Sequence, residues 1–206
     1  MCFFMLKSCD DHQCMRCSKW HLGCTPDAPP VNAYGFDDSA TYVSNGHNSK
    51  QLGNFSDEWF PANSSRLIVD NALEFIKSGS SSSGASPFYL DLWFHISHAP
   101  LNPTDAQLDG FSAAEYCPWS GMPPSKILSN SVYHRCPIQV FRASQHDLDA
   151  QIGRLLQAIR ADPALANSTL CIFSGDNGPE DPHIYFNSVG SAGLYRGRKR
   201  SLYEGG

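Results

Sequence analysis

The stretch TLCIFSGDNGPE, residues 169–180, decides the fold class of this chain. An unbroken apolar block at 170–173 lies between turn-forming residues, which is typical of a strand buried on both faces in a parallel sheet. Open α/β sheets bind ligands at the carboxyl ends of their strands. Asp176 and Asn177 follow directly, and their carboxylate and amide oxygens are hard ligands that suit a divalent cation. Taken alone, the same two residues are more typical of an ordinary turn.

Helical and strand patterns alternate on the amino-terminal side of this strand. Apolar residues recur at helical spacing over 65–77 and 138–161, and FYLDLWF at 88–94 predicts a second strand. The Ser/Gly-rich residues 78–86 indicate a flexible linker or a lengthened loop. Residues 1–24 show no clean period, and residues 25–64 and 99–137 are predicted surface loops. The alternation predicts an α/β fold with a parallel sheet.

Bulk composition excludes several classes of protein. The 206 residues are 41% apolar and 12% aromatic, which indicates a globular chain with one good core. A net charge of -5 and only 15 dispersed basic residues argue against a nucleic-acid partner. No apolar run approaches the roughly 20 residues that cross a bilayer, so no membrane partner is predicted. The opening MCFFMLKSCDD is too short an apolar run for a convincing signal peptide.

Cysteines and sequons leave the cellular compartment open. Five of the 8 cysteines lie within the first 24 residues. Cys14-x-x-Cys17, with His12 and His21 nearby, is half of a zinc pattern, but the second half is absent, so unpaired or disulfide-bonded cysteines are favoured. The N-glycosylation pattern of a glycoprotein occurs three times, as a weak hint of secretion, at Asn54, Asn63 and Asn167.

Five strings occur in an order that resembles the sulfatase family. That family's usual strings are GKWHLG, HAPH-x-P, L-D-x-x-I/V-G-x-L-L, TLVIFTSDNGP and GPLRGGK-x-x-x-F/Y-EGG. The corresponding strings here are Lys19-Trp-His-Leu-Gly, Ser97-His-Ala-Pro, Leu148-Asp-Ala-Gln-Ile-Gly-Arg-Leu-Leu, Asp176-Asn-Gly-Pro, and Arg196-Gly-Arg-Lys199 with Tyr203-Glu-Gly-Gly. The similarity runs from Ser18 to the last residue. It implies a partial alkaline-phosphatase-like sandwich, with a mostly parallel sheet and flanking helices over 18–206 and a divergent segment at 1–17.

The resemblance implies a site for a sulfated small molecule or a sulfated saccharide. Asp176 and Asn177 would be two ligands of one Ca²⁺ ion, and Lys19 and Lys199 would contact the sulfate oxygens. A divalent cation and cationic side chains suit this chemistry because the sulfuryl oxygens carry negative charge while a nucleophile attacks sulfur.

The resemblance also implies roles for two histidines. His98 would contact the sulfate and protonate the departing alcohol as a general acid. His21 would position the nucleophile and take part in proton transfer. His95 matches no role in the family and is expected to be structural.

The chain departs from the family at the nucleophile. Sulfatases use a formylglycine made in a C-x-P-x-R motif, which is absent here, and Cys24-Thr-Pro-Asp-Ala lacks the arginine. No apolar strand is predicted before Asp10-Asp11, so this pair is not assigned to the family's two metal aspartates. Ser18 and Arg198 replace two of the family's glycines. We therefore expect an incomplete, inactive sulfatase fragment, whose family is secreted or lysosome-like.

Three alternatives stay open at the level of sequence. A phosphate or phosphonate monoesterase of the same fold would share the metal ligands at the strand end. A non-catalytic sulfate-binding relic would keep the metal and sulfate contacts without a nucleophile. A zinc module built on the amino-terminal cysteines is the third.

Overall fold

A computed structural model describes residues 2–7, 13–20, 29–43, 59–80, 87–111, 137–181 and 189–206. The strands of this part are β1 (Cys2–Lys7), β2 (Gln13–Trp20), β3 (Asp38–Val43), β4 (Phe88–Trp93) and β5 (Thr169–Ser174). Its α-helices are α1 (Trp59–Ser80), α2 (Asp105–Leu108), α3 (Pro137–Ala161) and α4 (Pro163–Ala166), and a 3-10 helix covers Val31–Tyr34. None of the helices in these ranges is long and apolar enough to cross a membrane.

The five strands form one mixed sheet in the order β3-β2-β4-β1-β5. β2 pairs in parallel with both β3 and β4, whereas β1 pairs antiparallel with β4 and β5. Four strands consequently run in one direction and β1 runs against them. The carboxyl ends of β2, β4 and β5, at Trp20, Trp93 and Ser174, therefore meet at one edge of the sheet. We call this the carboxyl edge.

One face of the sheet is covered by α1, and α3 packs against α1. The rings of Phe75 on α1 and Phe88 on β4 meet edge to face with centroids 6.2 Å apart. Leu90 and Leu92 lie on the same face as Phe88 and are fully buried. An apolar face repeating at helical spacing in α1 thus meets an alternating face of β4, and this contact forms the core.

The predicted burial of β5 on both faces is wrong. Leu170 is 56% exposed, Ile172 43% and Phe173 52%. β5 is an edge strand that pairs antiparallel with β1, and no described helix covers either of its faces. An apolar run shows that a strand is able to be buried, but burial also requires a neighbouring layer on each side.

Several predicted elements are confirmed. The strands at 88–93 and 169–174 and the helix at 137–161 have nearly the expected bounds. Helix α1 is longer than the expected 65–77, because it begins at Trp59 and ends at Ser80. The rest of the expected linker, 81–86, lies outside the described residues.

The expectation for the amino-terminal 64 residues is wrong in part. Residues read as aperiodic or as surface loop include β1, β2 and β3 and the first turn of α1. An apolar strand therefore does precede the Asp10-Asp11 pair, which itself lies outside the described residues. That strand runs against the others, and its last residue, Lys7, pairs with Thr169 at the start of β5. The chain thus leaves β1 at the edge opposite to the carboxyl edge.

The division at residue 17 stays a prediction, although it falls inside the continuous strand β2.

Candidate active site at the carboxyl edge

A cavity of about 940 Å³ opens at the carboxyl edge of the sheet. Its walls come from the segments after β4 and β5, from the first turns of α3, and from the last residues of the chain, within 94–99, 138–145, 175–180 and 189–206. Loops that follow parallel strands share one edge, so residues far apart in the chain meet there.

The cavity brings together four of the six site residues expected from the sequence: His98, Asp176, Asn177 and Lys199. Lys19 is the residue before the last one of β2 and pairs with Tyr42 of β3. Its backbone therefore lies at the carboxyl edge of the sheet. His21 lies outside the described residues. His95, which is expected to be structural, also lines the cavity.

His98 is held by the backbone around it. Its ring Nδ1 donates to the carbonyl oxygen of Ala99 (2.5 Å), since a carbonyl can only accept, and its backbone N–H donates to the carbonyl of His95 (2.7 Å). The hydrogen bond to Ala99 fixes Nδ1 as the ring nitrogen that faces the backbone. His95 is buried, and its ring packs edge to face on Phe60 with centroids 5.0 Å apart.

Asp176 and Asn177 are exposed in the turn that follows β5. One carboxylate oxygen of Asp176 accepts from the backbone N–H of Asn177 (3.0 Å), and the Asn177 side-chain amide donates to the carbonyl of Gly178 (2.9 Å). That donation leaves the Asn177 amide oxygen as an acceptor beside the carboxylate. Hard oxygens fit a Ca²⁺ ion, but Ca²⁺ takes 6–8 ligands. Within the described ranges, no group of three or more His, Cys, Asp or Glu is placed to hold a metal.

The last residues of the chain close over the Asp176 turn through backbone contacts. Gly178 N–H donates to the carbonyl of Gly206 (2.9 Å), and Lys199 N–H donates to the carbonyl of Pro179 (3.0 Å). A Cβ on Gly178 would lie 1.8 Å from the carbonyl oxygen of Gly205. Only a glycine at 178 permits this approach.

Glu180 is a site residue that the sequence analysis missed. Its carboxylate pairs with Arg200, and its other oxygen lies 3.9 Å from Lys199 Nζ. The hydrogen bond from Arg200 lowers the pKa of Glu180 below its usual value, and the backbone N–H of Asp181 and the charges of Arg200 and Lys199 act in the same direction. One negative charge against two positive charges leaves this group with a net charge of about +1, which suits an anionic ligand. Its only signal in the sequence is an acid directly after Asp-Asn-Gly-Pro.

The other arginines of the basic run 196–200 have structural contacts. The Arg196 guanidinium lies 3.5 Å from the Tyr203 ring centroid, and its backbone N–H donates to Glu204 (3.1 Å). Backbone hydrogen bonds from Glu204 itself and Arg196 lower the pKa of Glu204. The Arg198 guanidinium donates to the carbonyl of Glu180 (3.2 Å). These contacts hold the loop that presents Lys199.

The fold and the cavity define the class: an α/β protein whose carboxyl edge gathers histidine, lysine, carboxylate and amide groups. The chain belongs to the sulfatase family, since the family model described as Sulfatase matches residues 16–206. The family expected from the five strings is thereby confirmed.

Two human sulfatases are similar to part of the chain. Arylsulfatase A of Homo sapiens is 36% identical over 120 residues, which cover 58% of this chain and 18% of that protein. Iduronate 2-sulfatase of Homo sapiens is 33% identical over 122 residues, which cover 46% of this chain and 22% of that protein. The chain therefore spans about a fifth of the length of these curated relatives.

Proposed function

We propose that the cavity at the carboxyl edge binds the sulfate group of a sulfate ester, in a sheet that is part of an alkaline-phosphatase-like sandwich. The observation that carries this proposal is the meeting of His98, Asp176, Asn177 and Lys199 around one cavity, from three separate segments of the chain. Sulfatase family membership supports the same ligand. The ester is part of a sulfated small molecule or saccharide.

In this proposal, two lysine side chains and one histidine side chain contact the sulfate group. Lys199 contacts the sulfate oxygens, together with Lys19 from the end of β2. His98 contacts the sulfate while its Nδ1 remains bonded to the Ala99 carbonyl. The family resemblance implies that in a hydrolysing member this histidine would protonate the departing alcohol. For His21 the family resemblance implies a role in positioning a nucleophile and in proton transfer, and this role would require the nucleophile that hydrolysing members have.

Asp176 and Asn177 are proposed to hold a divalent cation, Ca²⁺ by family resemblance. Their carboxylate and amide oxygens suit a hard ion, which supplies charge stabilisation to sulfate oxygens when bound. Two ligands are only part of a calcium shell.

The chain has no C-x-P-x-R string from which a formylglycine nucleophile is made. We therefore propose that this chain binds sulfate esters without hydrolysing them. Covalent attack on sulfur requires a nucleophile, and positioning residues do not replace one.

Titration calorimetry with 4-nitrophenyl sulfate in the presence of Ca²⁺, beside a nitrophenol release assay, tests this proposal. We expect saturable binding, weakened about tenfold or more by Lys199→Ala because an ion contact is lost, and no release of nitrophenol. The matched control is Lys77→Ala, at the far end of α1. Equal binding by Lys199→Ala and the unaltered chain would overturn the proposed site, and sustained nitrophenol release would overturn the proposed lack of hydrolysis.

The phosphate and phosphonate alternative is tested with the same protein. We expect 4-nitrophenyl phosphate to bind more weakly than the sulfate, because the family is that of sulfatases. Tighter binding of the phosphate would favour the phosphate or phosphonate monoesterase.

A further inference from the structure

We propose that Arg142 and Gln145 form a second oxyanion subsite in this cavity, so that its ligands are sulfate esters that carry a further carboxylate or sulfate. This inference rests on the proposed function and names the substrate class of the same site. Neither residue belongs to the strings that resemble the sulfatase family.

The subsite lies on one face of α3. Four residues of this helix line the cavity at helical spacing, namely Ile138, Phe141, Arg142 and Gln145. Positions i, i+3, i+4 and i+7 share one face of a helix, so these side chains form a continuous stripe. Ile138 and Phe141 are half-buried and apolar, which suits the ring of an ester. Arg142 and Gln145 add a cation and an amide beside that apolar surface.

The charges of the cavity leave Arg142 available. Lys199 is paired with Glu180, whereas in the part of the chain that the structure describes no carboxylate forms a salt bridge with Arg142. The cavity's acids have other donors: Glu180 has Arg200, Glu204 has the Arg196 N–H, and Asp176 has the Asn177 N–H.

The chemistry of the two side chains selects an oxyanion. A guanidinium binds carboxylate or sulfate oxygens through two parallel hydrogen bonds, and the charge strengthens each of them. A glutamine amide supplies one more donor. The sulfate of the ester and its second anion would thus contact different walls of the cavity, the turn after β5 and the stripe on α3.

The test uses three aryl sulfates that differ at one ring position. Two carry a second anion there, 4-carboxyphenyl sulfate and 1,4-phenylene disulfate, and the third, 4-carbamoylphenyl sulfate, carries a neutral amide of similar size. Affinities are measured by titration calorimetry with Ca²⁺ for the unaltered chain, Arg142→Gln and Arg160→Gln. Arg160 is the matched control, because it lies 18 residues further along the same helix, about 27 Å away at 1.5 Å per residue.

We expect Arg142→Gln to weaken binding of at least one doubly charged ester about tenfold and to leave the carbamoyl ester unchanged. Loss for the carboxylate alone or for the disulfate alone identifies which oxyanion the subsite takes. Arg160→Gln is expected to change none of the affinities.

Two results would overturn the inference while sparing the proposed function: equal weakening of all three esters by Arg142→Gln, or no change in any of them. If the unaltered chain binds none of the three esters, the proposed function fails and this inference fails with it. Circular dichroism of each variant establishes that the helix is retained.

Discussion

Gly178 shows how a single missing side chain joins two segments at the site. Its backbone donates to Gly206, and a Cβ there would come within 1.8 Å of the Gly205 carbonyl oxygen. The loop at residues 196–206, which we call the closing loop, therefore approaches the Asp176 turn at a distance that no larger residue permits. The same loop carries Lys199, so the contact at Gly178 also fixes one wall of the cavity.

Gly178→Ala is expected to lower the free energy of unfolding by about 1–3 kcal/mol, because the new methyl group overpacks a backbone contact. Urea unfolding measures the change. Gly153→Ala is the matched control, since a Cβ at 153 meets nothing within 4 Å on helix α3 and is expected to stabilise by about 1 kcal/mol. Equal stability of the two variants would contradict the close approach at 178.

Glu180 links the stability of the closing loop to pH. Its pKa is lowered in the folded chain, chiefly by the hydrogen bond from Arg200. A lowered pKa gives stability that is present above the unfolded value, about 4.3, and is lost as the pH falls through the folded value. The unaltered chain should therefore lose stability on acidification below about pH 4.3 more steeply than Glu180→Gln.

Urea unfolding at a series of pH values checks this dependence. The control is Glu74→Gln, the same change at an exposed position of α1, which should keep the steep acid loss of the unaltered chain. A Glu180→Gln profile that follows the unaltered chain at every pH would show that the contact with Arg200 adds nothing to stability.

At the scale of elements, the two long helices, α1 and α3, are joined by an exposed salt bridge and by buried apolar side chains. Arg154 on α3 bonds to Asp70 on α1 (2.7 Å), but this bridge is exposed, and such a pair typically contributes only about 0–1 kcal/mol. The neighbouring Leu155 is fully buried. Apolar burial therefore holds α3 against α1, and the salt bridge is secondary.

The apolar side chains of strand β5 are exposed, because no other layer covers them in the described part of the chain. An exposed apolar edge strand is a template for pairing with another strand. Ile172→Lys is expected to reduce concentration-dependent self-association, since a charge on an edge strand opposes pairing. Sedimentation velocity at several protein concentrations measures the association.

Leu194→Lys is the matched control for β5, because Leu194 is fully exposed but lies outside any strand. It should leave the association unchanged. If both variants reduce association equally, exposed apolar area in general is the cause, and pairing through β5 is not.

At the scale of the whole molecule, the carboxyl edge depends on strands that are distant in the chain. β2, β4 and β5 bring residues near 20, 95 and 175 to one side of the sheet. Any ion held there would bind only the folded chain, and a ligand that binds only the folded state raises the apparent stability.

Millimolar CaCl₂ is accordingly expected to raise the melting temperature of the unaltered chain but not that of Asp176→Ala. Differential scanning calorimetry with and without Ca²⁺ measures the shift. Asp70→Ala is the control: it removes a carboxylate that pairs with Arg66 and Arg154, and it should keep the response to Ca²⁺. A shift of equal size in Asp176→Ala would rule out Asp176 as a ligand.

Local patterns allowed the middle and later elements to be predicted. Strands β4 and β5 and helix α3 have short-range periodicity and turn residues at their ends, so their bounds follow from neighbours in the chain. β2 lacks such a pattern, because its mixed residues, QCMRCSKW, become a strand through pairing with β4, which lies more than 60 residues away in the chain. β1, CFFMLK, is a short apolar run, but its direction against the other strands follows only from its pairing with β4 and β5.

The sequence by itself predicts which residue types line the cavity, since His98, Lys199 and the Asp176-Asn177 pair follow from their strings. Only the tertiary structure decided that β5 is an exposed edge, that Glu180 lies between Lys199 and Arg200, and that Arg142 faces the same cavity. The physical reason is the separation along the chain of the residues that interact. Backbone propensity and side-chain chemistry are properties of a few adjacent residues, whereas burial and ion pairing depend on which distant segments the fold brings together.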